Sequence, residues 1–146
     1  MWIGEYKHNL DEKNRFVFPA RFRQQIRDKD ILRFYATRGL EGCIAMYDGE
    51  EWERLTSRLK SLSFTKKNVR QFNRIFFGSA VEIVPDKQGR IILPDHLREH
   101  ASMNSKEIIV TGVSDRIEIW AKSSWDAMYE ENREDFEKMA EDLFFE

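Results

Sequence analysis

Apolar residues change their spacing several times along this chain, and each change marks an element. Residues 3–10 and the triplet Phe16-Val17-Phe18 have the character of strands. Between them Asp11-Glu12-Lys13-Asn14-Arg15 reads as a tight reversal. Pro19 ends the second strand and suits the first turn of a short helix over residues 20–26, with Phe22 and Ile26 inward. Residues 31–35 and 43–47 return to strand character across a Gly39-Leu40-Glu41-Gly42 turn. Helical spacing takes over in residues 50–62, with Trp52, Leu55 and Leu59 on one face. It holds again in residues 66–77, which turn Val69, Phe72, Ile75 and Phe76 inward and Lys67, Arg70 and Arg74 outward. That basic row suits phosphate contact, and equally an ordinary solvated helix face.

Pro94 then opens a short helix over residues 95–100 with Leu97 inward, and residues 108–111 and 116–120 read as strands around Gly112-Val113-Ser114-Asp115. A last helix begins near Ser123 or Ser124, either of which can cap it. Trp125, Met128, Tyr129, Asn132, Phe136, Met139 and Leu143 keep helical spacing through that segment.

The order of these elements repeats. Asp11-Glu12-Lys13-Asn14-Arg15-Phe16-Val17-Phe18-Pro19, followed by Phe22-Arg23, returns 75 residues later as Asp86-Lys87-Gln88-Gly89-Arg90-Ile91-Ile92-Leu93-Pro94, followed by Leu97-Arg98. A second match at an offset of 73 aligns Ile44, Tyr47 and Trp52 with Ile117, Trp120 and Trp125. Two copies are too few for a solenoid. They imply one compact body with a two-fold axis through it, and a chain of 146 residues is long enough to bury a shared core. The expected organisation is a first repeat over residues 1–49, a helical connector over 50–76, a second repeat over 77–122, and an acidic helix or tail over 123–146.

Charge changes the picture more than composition does. The net charge of −2 conceals a division: residues 1–75 hold 16 bases and 10 acids, a net of +6, and the remainder holds 8 bases and 16 acids, a net of −8. Nine acids against two bases fall in residues 126–146 alone. A basic body with an acidic tail suits a polyanionic partner better than the global charge suggests. No apolar run approaches the roughly 20 residues of a membrane span, and residues 1–6 lack the basic leader and apolar core of a signal peptide. A cytoplasmic protein is the expectation. The single Cys43 sits in an apolar run and is expected to be a buried small hydrophobe. His96 and His100 have the spacing of a metal pair on a helix, but no third ligand is evident. No phosphate loop, nucleophile elbow or carboxylate pair stands out, so neither an enzyme nor a cofactor site is expected.

The doubled turn is the feature with chemistry in it. Asn14 and Gly89 occupy one place in the two copies, and both residues tolerate the left-handed backbone that a hairpin-type turn demands. Asp11 and Asp86 can hold the turn by accepting backbone N–H bonds. Arg15 and Arg90 follow at the same step, with Lys13, Lys87 and Gln88 beside them. An arginine fixed on a rigid base pairs with phosphate or with the O6/N7 edge of guanine at low entropic cost, and lysine adds sequence-blind attraction. The opposite reading stays open at this point: each arginine pairs with its own aspartate and binds nothing further.

Met1-x-x-Gly4-Glu5-Tyr6, Asp11-x-Lys13-Asn14-Arg15, Pro19-Ala20-x-Phe22-Arg23, Thr37-Arg38-Gly39-Leu40-Glu41-Gly42-Cys43, Gly78-Ser79-Ala80, Asp86-Lys87-Gln88-Gly89-Arg90-x-x-x-Pro94 and Arg116-Ile117-Glu118-Ile119-Trp120 resemble the MraZ family. The match runs in order from residue 1 to about 125. The resemblance implies two tandem repeats of the AbrB/SpoVT type, an α+β, β-rich fold of the double-split β-barrel kind with flanking helices and a C-terminal helix. It implies a nucleoid-associated transcriptional regulator of the bacterial division and cell-wall gene cluster. Such a protein binds double-stranded DNA at short direct repeats upstream of its own operon and assembles into rings, octamers or dodecamers. DNA contacts are then expected from Lys13, Asn14, Arg15, Lys87, Gln88 and Arg90. Two departures bear on this: Asn14 stands where the family usually has Gly, and Gln88 where it often has Lys. With the positive charge in the first half, Arg15 and Lys13 are expected to be the stronger pair. The competing expectations are a protein-binding, antitoxin-like module on the same fold and an enzyme with a cleft between the repeats.

Overall fold

The computed structural model describes residues 1–145. Its elements run β1 (Trp2–Asn9), β2 (Arg15–Val17), α1 (Ala20–Asp28), β3 (Phe34–Arg38), β4 (Ile44–Asp48), α2 (Gly49–Lys60), α3 (Lys67–Gly78), β5 (Val81–Ile83), β6 (Arg90–Ile92), α4 (Asp95–His100), β7 (Glu107–Ser114), β8 (Arg116–Ala121), α5 (Lys122–Asn132), a 3-10 turn (Arg133–Asp135) and α6 (Phe136–Phe144). The fold is α+β and dominated by an antiparallel sheet in the order β1-β7-β8-β4-β3-β5, with β2 and β6 paired as a separate ribbon.

Exchanging the two repeats reverses that strand order and leaves it unchanged, so a pseudo-two-fold axis passes between β4 and β8. The register obeys the same axis. Ala45 faces Glu118 at the centre of the β4–β8 ladder, flanked by Ile44 opposite Ile119 and Met46 opposite Ile117. Phe16 faces Ile91 at the centre of the β2–β6 ribbon, flanked by Arg15 opposite Ile92 and Val17 opposite Arg90.

The repeats also trade strands. β1 pairs along its whole length with β7 of the second repeat, and β5 pairs with β3 of the first. β7 therefore extends through Gly112 and Val113, which the sequence placed in a turn, because all eight residues of β1 need partners. Gly112 permits this close approach: a Cβ there would stand 2.3 Å from the Ile3 nitrogen.

One continuous core lies between the inner face of the sheet, the ribbon, α1 and α4. It includes Trp2, Phe16, Phe18, Phe22, Phe34, Ile44, Ile91, Leu97 and Ile117. Burying a side chain of this kind contributes about 1.5–3 kcal/mol. The outer face of the sheet is covered differently. Trp52 of α2 stacks on Tyr35 at 5.2 Å and on Phe76 of α3 at 5.7 Å. Trp125 and Met128 of α5 pack on Cys43, Ile109 and Trp120.

Several expected elements shift. The strand expected at residues 31–35 runs from Phe34 to Arg38 instead. Asp30 at φ 54° and the Ile31 N–H bond to the Ile26 carbonyl close α1 with a left-handed cap, which occupies the first of those residues. β5 was not anticipated, being three residues long. Phe72 and Ile75, expected inward, stay exposed on α3, and Phe76 is the α3 residue that is buried, against Trp52. The final helix is broken by the 3-10 turn, and its cap position is Ala121, without a side-chain bond from Ser123 or Ser124. Glu146, the last acid of the tail, lies outside the described residues.

Candidate nucleic-acid interface

The two Asp-to-Arg turns are the same structure bond for bond. In the first, Asp11 Oδ1 accepts from the backbone N–H groups of Lys13 at 2.8 Å and Arg15 at 2.9 Å, and Oδ2 accepts from Arg15 Nε at 2.8 Å. In the second, Asp86 Oδ1 accepts from Gln88 and Arg90 N–H, both at 2.9 Å, and Oδ2 from Arg90 Nε at 2.7 Å. The Asn14 N–H donates to the Asp11 carbonyl and the Gly89 N–H to the Asp86 carbonyl. Asn14 adopts φ 59° and Gly89 φ 75°, the left-handed conformation that the sequence equivalence required. Each turn is thus a three-residue reversal closed by one residue in the left-handed region, and it carries the chain from the large sheet into the ribbon.

Both aspartates are held below the usual carboxylate range. In each case the chief cause is the backbone N–H of the arginine, joined by that arginine's side chain and by the N–H two residues on. The carboxylates therefore remain charged, and each neutralises part of its own arginine. The pairing of each arginine with its own aspartate, one of the two readings the sequence left open, does form. It engages Nε and leaves the outer edge of the guanidinium: among the described residues, the Nη atoms of Arg15 and Arg90 have no hydrogen-bond partner.

The ribbon decides where those edges face. Phe16 and Ile91, at its centre, are buried in the core, so their neighbours turn outward. Arg15, Val17, Arg90 and Ile92 then share the outer face, with the two arginines as diagonal neighbours roughly 7–8 Å apart at the backbone. Two more bonds tie the turns to the ribbon: the Leu93 N–H donates to the Asn14 carbonyl at 3.0 Å and the Phe18 N–H to the Gly89 carbonyl at 3.2 Å.

Lys13, Lys87 and Gln88 lie exposed at the turns. The Asn14 side chain, in contrast, is occupied: its Oδ1 accepts from Lys106 Nζ at 2.7 Å. Lys106 and Arg23 are charges that sequence reasoning passed over. Arg23 lies over Gly89, where a Cβ would come within 2.9 Å of its Cδ. Its place in both copies of the motif, shared with Arg98, was the available signal. Half-buried Val17 and exposed Ile92 were also missed on this outer face. Their signal was the strict alternation with buried Phe16 and Ile91.

Other candidates separate from this site. His96 Nε2 lies 2.8 Å from the Ser79 carbonyl and His100 Nε2 lies 3.0 Å from the Gly39 carbonyl, so the two rings serve different loops. Among the described residues no group of three or more His, Cys, Asp or Glu is placed to hold a metal. Cys43 is fully buried and its thiol is pushed up to about 12, chiefly by desolvation.

The doubled turn and the traded strands predict a family in which one profile matches the chain twice. The profile of the family described as "MraZ protein, putative antitoxin-like" matches residues 1–75 and again residues 76–145. The chain belongs to the MraZ family. It is also 48% identical over 143 residues, 98% of this chain and 96% of the relative, to a protein of Lactobacillus helveticus (strain DPC 4571) named transcriptional regulator MraZ. In this MraZ-family chain the two matched segments are the halves that exchange β1 and β5. No helix among the described residues is long and apolar enough to cross a membrane.

Proposed function

We propose that this chain is a transcriptional regulator, not an enzyme, and that it binds double-stranded DNA through the outer face of the β2–β6 ribbon. The observation that carries this reading is the pair of arginines, each locked by an aspartate, on one face of a two-stranded ribbon. The major groove, about 12 Å wide, admits a two-stranded ribbon. Arg15 and Arg90 then present the free edges of their guanidinium groups to guanine, and Val17 and Ile92 offer methyl groups to thymine between them. Lys13, Lys87 and Gln88 flank the ribbon ends, where the phosphate backbone passes. Arg23 and Lys106 add positive charge beside the turns, and Asn14 acts as a turn former tied to Lys106.

A ribbon this small makes few contacts, so one subunit binds weakly. Self-association into a ring supplies the remainder: neighbouring subunits on neighbouring direct repeats gain roughly 10²–10⁴-fold by effective concentration. Repeats about one helical turn apart, roughly 10 base pairs, present the same face of the duplex to successive subunits. The target is the chain's own upstream region in the division and cell-wall gene cluster, and the place of action is the cytoplasm at the nucleoid.

Fluorescence anisotropy on that upstream DNA and a scrambled duplex, across a salt series, tests the reading. Wild type is expected to bind selectively and to weaken steeply with salt. Arg15→Ala is expected to cost about 1–3 kcal/mol and relax selectivity, and Arg90→Ala to cost less. Equal binding of the two duplexes by wild type, or wild-type affinity in both variants, overturns it.

A further inference from the structure

The tail leaves a face without a partner. α6 carries Phe136, Met139, Leu143 and Phe144, all exposed, with Phe136 at 69% and Leu143 at 77%. Phe136, Met139 and Leu143 recur at the spacing of one helix face, and Glu137, Glu141 and Asp142 flank them. Elsewhere the outer side of the sheet holds an open cleft of about 560 Å³ between α2–α3 and α5. Its walls are Leu55 and Phe72 on one side and Trp125 and Met128 on the other, with Arg38, Arg58 and one acid, Glu41, beside them. The third arginine of the lining, Arg116, is already neutralised: it is bonded to Asp115 at 3.0 Å and to Glu118 at 2.9 Å. Arg38 and Arg58 have no acidic partner among the described residues, and neither Glu137, Glu141 nor Asp142 has a basic one.

We propose that α6 of one copy of this chain seats in the α2–α3/α5 cleft of a second copy. The two arginines outnumber Glu41 at the cleft edge and so favour the acidic flanks of α6, and the aromatic and aliphatic surfaces match as well. Occupation by the chain's own α6 needs a reversal after α5. The linking residues do not provide one: residues 122–146 contain no Gly or Pro, and no residue after Ser114 has positive φ among those described. Asn132, Arg133 and Phe136 keep right-handed helical angles, Asp135 departs from them at φ −90° and ψ 2°, and the apolar side chains of α6 stay exposed, so α6 does not fold back to cover its own cleft. Each copy carries one helix and one cleft at different places. Reciprocal exchange would stop at a pair, so the ring named above requires the head-to-tail arrangement, which propagates until it closes on itself. The cleft lies across the sheet from the ribbon, so assembly leaves the arginine face free. This inference rests on the self-association named above and not on DNA contact.

Two variants of the full chain test it by analytical ultracentrifugation over a concentration series. Leu143→Asp spoils the helix face and Phe72→Asp spoils the cleft; both sites are exposed, and circular dichroism confirms folding. Should Phe72→Asp fail to fold, Arg58→Glu takes its place. Each variant alone is expected to associate at least about 30-fold more weakly than wild type. The equimolar mixture is expected to stop at one-to-one dimers, since each dimer retains a single intact contact. Assembly of both variants like wild type overturns the inference and leaves ring formation standing through another surface. A wild type monomeric at every concentration overturns the inference and self-association together. DNA binding is measured separately on the same samples, so its loss is not confused with either result.

Discussion

Substituting Gly89 by alanine tests the turn geometry on which the arginine face depends. The residue sits at φ 75°, where an L side chain costs roughly 1–2 kcal/mol that glycine avoids. The new Cβ would also stand 2.9 Å from Arg23 Cδ and 3.5 Å from its Cγ. The nearest atoms belong to a flexible side chain, which can swing aside, so the backbone cost is the larger of the two. Alanine recovers a few tenths of a kcal/mol by restricting the unfolded chain. The net loss is about 1–2 kcal/mol. The first copy supplies the control, because Asn14 occupies the equivalent place at φ 59°. Gly89→Asn should therefore lose less than half of what Gly89→Ala loses. Urea unfolding followed by tryptophan fluorescence, at one fixed protein concentration, reads these differences as midpoint shifts at constant slope. An alanine variant as stable as wild type, or an asparagine variant as damaged as alanine, refutes the argument.

The aspartates give a pH signature. Their folded-state pKa values lie below the ordinary 3.8, so the stability they contribute is present above that value and is lost as pH falls through the folded values. Urea midpoints measured from pH 5 to pH 2.5 should fall for wild type and fall less steeply for the Asp11→Asn/Asp86→Asn double variant; parallel curves count against the turns. The traded strands predict that residues 1–75 and 76–146, made as separate chains, do not fold as monomers, because β1 and β5 each lack their ladder. Mixing them should restore the circular dichroism of the intact chain, and a cooperative, concentration-independent unfolding transition in either piece alone would refute the exchange.

The turn was legible because its constraints are local. Asp11 and Asp86 hold N–H groups two and four residues on, and Asn14 and Gly89 answer to backbone sterics alone. Short-range pattern likewise placed β2, β4, α1, α2 and α4 to within a few residues. It failed where partners are distant in the chain. β5 is too short to show a period and exists because Phe34, Tyr35 and Ala36 offer it a ladder. Phe72 and Ile75 have the spacing of a core face, yet α3 turns them to the open cleft and to solvent. Helical period reports which residues share a face, but not whether the same chain covers it.

The strand exchange is the step that converts a repeated sequence into a single site. Had each repeat kept its first strand, the halves could have folded as separate bodies with independent turns. With β1 on β7 and β5 on β3, neither half completes its ladder without the other. Phe16 and Ile91 then meet across the axis in a common core, and the ribbon they anchor cannot form from one copy alone. That places Arg15 and Arg90 on one face at a spacing fixed by strand geometry, not by a linker. The symmetry is broken in the side chains around it: Lys13 corresponds to Gln88, Glu12 to Lys87, Asn14 to Gly89 and Val17 to Ile92. In the proposed complex a common backbone with unequal flanks would let the two arginines meet one duplex in equivalent poses while the surroundings of each differ. Differences in readout between the halves are then expected to trace to those side chains and not to the frame.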